Sequence, residues 1–136
     1  MASYLLDKSA LARLHVSAVR ARLEPMLLDG RIATTGVAML EALFSAQSAE
    51  DYRRQRLMLD AMPRVGVTEK VIDRALDIQR RMVELGTHRA ASVPDLILAA
   101  TAETNGLVVL HYDGDFDLIA NASGNPAEWV VPAGSI

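Results

Sequence analysis

The unbroken apolar run Leu107-Val108-Val109-Leu110 constrains this chain most strongly. It is too short for a helix and lacks polar alternation, the pattern of a central parallel strand covered on both faces. Ser3 to Leu6 is a second short apolar run, consistent with another buried strand, and Asp7 ends it. Asp113 and Asp115 follow the first run in the same way. In open α/β sheets ligands bind beyond the carboxyl ends of strands, at a topological switch point. Carboxylates from opposite ends of the chain are therefore expected to meet in one acidic pocket, with Glu41 and Asp95 as further candidates.

Between these runs strand and helix signals alternate. Leu11, Leu14, Ala18 and Ala21 recur at helical spacing and predict a helix over 9–23, with Pro25 opposing its continuation. Asp29-Gly30 signals a turn, and 31–34 a strand. Thr35 is placed to cap a helix over 36–44. A further helix is expected over 49–62, stopped by Pro63, and a brief strand over 65–67. Thr68 heads a long helix whose Val71, Ile72, Ala75, Ile78, Met82 and Leu85 form one face, with Gly86 as its left-handed terminus. Pro94 opens a helix that closes at Asn105-Gly106. A short helix over 116–120 and a last strand over 129–131 complete the order. Such alternation implies an α/β sandwich with a mostly parallel sheet and right-handed crossovers, one domain over residues 1–136.

Several classes are excluded. Without cysteine there are no disulfides, thiolate metal sites or cysteine nucleophiles, so a metal would take oxygen or histidine ligands. No apolar run approaches membrane-spanning length and no signal segment is evident, which points to a cytoplasmic protein. A net charge of −3 argues against holding nucleic acid by bulk charge alone. Twelve of the fourteen basic residues are arginine, grouped at Arg20 and Arg22, at Arg53, Arg54 and Arg56, and at Arg80 and Arg81 with His88 and Arg89 beyond. These groups suit phosphate contacts. They equally suit solvated helix faces paired with Glu50, Asp51, Asp77 and Glu84.

Each candidate acid also has an ordinary structural role. Asp7 can cap the helix that follows it, Asp95 suits the positive end of its helix, and Glu41 can edge an apolar face. The run Asp113-Gly114-Asp115-Phe116-Asp117 resembles the start of a calcium loop, but Leu118 and Gly124 stand where glycine and glutamate are needed. Two carboxylates about 5 Å apart repel by roughly 3 kcal/mol at an effective dielectric of about 20. Four or five together require raised pKa values or hard divalent cations, and Mg²⁺ or Mn²⁺ prefers such oxygen ligands.

Four segments carry a family resemblance: Tyr4-Leu5-Leu6-Asp7-Lys8-Ser9-Ala10-Leu11, Thr34 to Glu41, Ser92 to Ala102, and Leu110 to Ala120. In this order they resemble the PIN-domain ribonucleases, and most closely the VapC toxins of type II toxin–antitoxin pairs. His111 departs from the small hydroxyl residue that many relatives carry before the acidic turn. The resemblance implies a PIN-like three-layer sandwich and Mg²⁺- or Mn²⁺-dependent endoribonuclease activity. Asp7, Glu41, Asp95 and Asp113 would form the catalytic acids, with Asp7, Asp95, Asp113 and Asp115 as metal ligands and Ser9 orienting the first carboxylate or a water. It further implies a homodimer, a protein antitoxin, and a structured RNA substrate such as tRNA or rRNA. Arg80, Arg81, His88 and Arg89 would guide that RNA to Asp95. The alternatives are a catalytically silent PIN-like module that binds RNA or the antitoxin, and a metal-dependent phosphohydrolase acting on small substrates.

Overall fold

A computed structural model describes residues 1–136. Five parallel strands form the sheet: β1 (Tyr4–Leu6), β2 (Ile32–Thr35), β3 (Arg64–Val65), β4 (Val108–His111) and β5 (Ala127–Trp129). Their spatial order is β3-β2-β1-β4-β5. The chain winds outward from β1 through β2 and β3, then returns to β1's other side for β4 and β5. The switch point thus lies between β1 and β4, where Leu6 pairs with Leu110.

Helices cover both faces, because successive strand residues point opposite ways. Leu5, Ala33 and Val109 face a core built with α5 (Glu69–Leu85), α6 (Val93–Thr104) and α7 (Asp115–Ser123). Leu6, Ile32 and Leu110 face a second core with α2 (Ser17–Leu28) and α4 (Ala49–Asp60). α3 (Gly36–Phe44) serves both, Ala38 on the first side and Met39, Ala42 and Leu43 on the second. The α/β sandwich expected from the sequence is the observed fold. No helix is long and apolar enough to cross a membrane.

The long helix α5 forms for the reasons its sequence gives. Thr68 accepts from the Val71 amide at 3.3 Å, Val71, Ala75, Ile78 and Met82 are buried, and Gly86 ends the helix at φ 74°. That left-handed conformation lets Thr87 donate to the Met82 carbonyl at 2.8 Å.

The first helical region departs from expectation. Instead of one helix over 9–23, α1 (Lys8–Leu11) ends early and α2 resumes at Ser17 and runs through Pro25. The buried face of α2 is Val19 and Leu23, with Met26 and Leu27 packed alongside, while Ala18 and Ala21 are exposed. Pro25 is itself exposed, so its ring faces solvent, and the packing of Met26 and Leu27 offsets the hydrogen bond it cannot donate. At the other end the last strand is Ala127–Trp129, two residues earlier than its apolar run suggests; Val130 and Val131 leave the sheet and plug the second core.

Candidate metal centre

Asp7 directly follows β1 and is 2% exposed. Its amide donates to the Leu110 carbonyl at 3.0 Å, which ties it to the end of β4. Its Oδ2 accepts from the Ser9 amide at 3.0 Å and so caps α1. The Ser9 hydroxyl in turn accepts from the Tyr112 amide at 2.8 Å, which fastens the start of α1 to the loop after β4. Asp95 sits in the first turn of α6, where the Ser92 hydroxyl accepts from its amide at 3.2 Å. Asp113 and Asp115 share a turn beyond β4, with the Asp115 amide donating to Asp113 Oδ1 at 3.0 Å.

The five acids singled out from the sequence come together. Carboxylate oxygens of Asp7, Glu41 and Asp95 lie within 4.8 Å of one another, and so do those of Asp95, Asp113 and Asp115. Asp95 belongs to both groups, so two adjacent positions able to hold a divalent cation share it as a pivot. All the donors are hard oxygens, which fits Mg²⁺ or Mn²⁺ better than a thiophilic metal.

This crowding registers in the acids' proton affinity. Burial pushes the Asp95 carboxyl up to about 6, reinforced by the charges of Asp7, Asp113 and Glu41 against the opposing hydrogen bond from Ser92. Asp7 is likewise raised by burial, with Ser9 pulling it down and Glu41 and Asp113 adding to the rise. Asp115 is raised by its partial burial and then by Asp113. Such a site either takes up protons or takes up a cation.

One cation is already nearby. Lys8 Nζ lies 3.1 Å from Glu41 Oε2. The Glu41 hydrogen bond holds the ammonium above its ordinary range, and the charges of Asp7 and Asp95 contribute after it. Sequence reasoning did not single out Lys8 as a site residue, although its place next to Asp7 was the available clue.

A groove of about 1030 Å³ opens beside the acids, with Glu41 and Asp113 in its wall. Lys8, Arg13, His15 and Arg54 also line it. The Arg13 guanidinium lies over the Tyr112 ring, 4.7 Å from its centre, and donates to the Ser9 carbonyl at 2.7 Å. Arg80 and Arg81 are not part of this groove and both pair with Glu84 on the exposed side of α5. Arg54 pairs with Asp51, as the sequence allows, whereas Arg56 pairs with Asp60.

The chain is thus an α/β protein with acids clustered at the switch point of a parallel sheet, and the PIN domain family matches residues 4–122. The chain is 46% identical over 133 residues to Ribonuclease VapC21 of Mycobacterium tuberculosis, covering 97% of this chain and 96% of that one. It is 44% identical to Ribonuclease VapC51 of the same organism, over 98% of this chain and 96% of the relative. Among solved structures, DNA-bound VapBC from Salmonella typhimurium superposes with a TM-score of 0.77 at 16% identity, covering 96% of this chain and all of the matched one, a likeness of fold. The chain belongs to the PIN-domain VapC family of VapBC toxin–antitoxin systems.

Proposed function

We propose that residues 1–136 act as one PIN domain, the toxin of a toxin–antitoxin pair, and hydrolyse RNA phosphodiester bonds with Mg²⁺ or Mn²⁺. The observation that carries this reading is the pair of acid groups pivoting on Asp95, built from segments far apart in the chain. The relatives named as ribonucleases support the same activity.

Asp7, Asp95, Asp113 and Asp115 serve as the metal ligands, and Asp7, Glu41, Asp95 and Asp113 as the catalytic acids. A divalent cation held by these residues would supply Lewis-acid activation of water and charge neutralisation at the phosphodiester. Glu41, tethered by Lys8 at the groove wall, orients the attacking water. Arg13 and Arg54 bind backbone phosphates along the groove and hold the scissile linkage in reach. No side-chain nucleophile is needed.

A protein antitoxin is the inferred partner, supported by the VapBC complexes with which the fold is shared. The exposed Leu40, Phe44 and Leu57 on α3 and α4 offer the apolar surface such a partner covers. A homodimer and a structured RNA substrate with accessible loops, such as tRNA or rRNA, belong to the same reading.

The test is cleavage of total cellular RNA by purified protein, with the new ends mapped. Cleavage should require Mg²⁺ or Mn²⁺, stop with chelator, and fall to background in Asp7→Asn. Asparagine also caps helices and relieves the charge repulsion among the acids, so the variant should keep or raise its thermal midpoint. Cleavage that survives both chelator and Asp7→Asn would remove this function; no cleavage by the wild type would leave the silent binding module.

A further inference from the structure

His111 closes β4 and has no exposed surface. Its ring stacks on Phe116, 5.0 Å between centres and 29° from parallel, and packs at 57° against Trp129. Nδ1 accepts from the Asp113 amide at 3.1 Å. A ring nitrogen that accepts carries no proton, so the proton of the neutral imidazole sits on Nε2. Nε2 is buried and has no hydrogen-bond partner.

That arrangement is poor if packing is the only purpose. An unpaired buried N–H is destabilising, and a phenyl ring would fill the slot between Phe116 and Trp129 without one. What imidazole adds over phenyl is the acceptor facing Asp113. The Asp113 carboxylate then accepts from Asp115, so two successive bonds, each spanning two residues, set the turn that carries both acids.

We propose that His111 is a positioning residue for the Asp95, Asp113 and Asp115 metal position: its Nδ1 anchors the Asp113 amide and so aims the turn's two carboxylates at Asp95. It touches neither cation nor substrate. The inference rests on the reading of these acids as a metal site. A metal-affinity cost of about tenfold to a hundredfold is typical when a residue that orients a ligand is lost.

Two substitutions separate positioning from packing. His111→Phe keeps a ring and loses the acceptor; His111→Asn keeps an acceptor for the amide two residues on and loses the ring. With Mn²⁺ as the probe, calorimetric titration of His111→Phe should show affinity about tenfold weaker, at an unchanged or higher metal-free thermal midpoint. His111→Asn should melt lower yet bind Mn²⁺ within about threefold of wild type. Wild-type affinity in His111→Phe would overturn the inference while leaving the metal site standing. No Mn²⁺ binding by the wild type would overturn the metal reading, and the inference with it. Should His111→Asn fail to fold, amide exchange at Asp113 in metal-free His111→Phe decides: faster exchange is expected, and an unchanged rate contradicts the anchor.

Discussion

Asp95 bears the clearest electrostatic strain of any side chain here, and its consequences run in a definite direction. Its carboxyl is raised to about 6 from an ordinary 3.8, so the folded protein binds this proton more tightly than the unfolded chain does. The stabilising contribution is complete below the unfolded value and is lost as pH rises through the folded one. For metal-free protein the loss approaches about 3 kcal/mol, before relaxation and water penetration reduce it. Asp95→Asn should therefore raise the metal-free thermal midpoint at pH 7 by roughly 5 °C and flatten its fall between about pH 4 and pH 6. Melts in chelator across that range check this; a lower midpoint with the same slope would mean that burial is not straining Asp95. Ordinary and functional roles of an acid need not compete. Asp7 caps α1 and belongs to the acid cluster with one carboxylate, a coincidence that sequence alone presents as a choice.

At the scale of elements, legibility follows how local the determinants are. α5 could be read almost to its ends because its caps, period and terminal glycine are all within the segment. Pro94 placed the start of α6 for the same reason, and with it Asp95. The break between α1 and α2 was not legible. Apolar spacing runs through it unbroken, and what fixes α1 is tertiary, the Ser9 hydroxyl meeting the Tyr112 amide across the sheet end. Pro25 misled for a related reason: propensity disfavours it inside a helix, but the burial of flanking side chains decides. Since its ring is exposed, Pro25→Ala should restore the missing donor and stabilise by about 1 to 3 kcal/mol. α2 contributes no member to the acid cluster, so Mn²⁺ affinity should not change. A lower thermal midpoint would show that proline's stiffening of the unfolded chain matters more than the lost bond.

Across the whole molecule, function depends on winding. The parallel order that reverses at β1 sets the ends of β1 and β4 side by side, and α3 and α6 bring in Glu41 and Asp95. The convergence was legible because acids followed strand-like runs; the basic lining of the groove was not, since Arg13 and His15 lie in the unexpected turn between α1 and α2. With a net charge of −3, the proposed RNA substrate would have to be steered by the local placement of basic side chains. In chelator, Arg13→Ala with Arg54→Ala should weaken RNA binding and lower its salt slope by about 0.7 per lost phosphate contact. Arg80→Ala with Arg81→Ala should leave the slope unchanged, because both side chains lie outside the groove; the reverse pattern would return the RNA track to α5.

The most direct measurement is anomalous diffraction from crystals soaked in Mn²⁺. The account predicts a peak about 2.1 Å from an Asp95 oxygen, with further ligands from Asp7 or from Asp113 and Asp115. A fully soaked crystal with no peak among these carboxylates, or with Mn²⁺ bound only elsewhere, would contradict it.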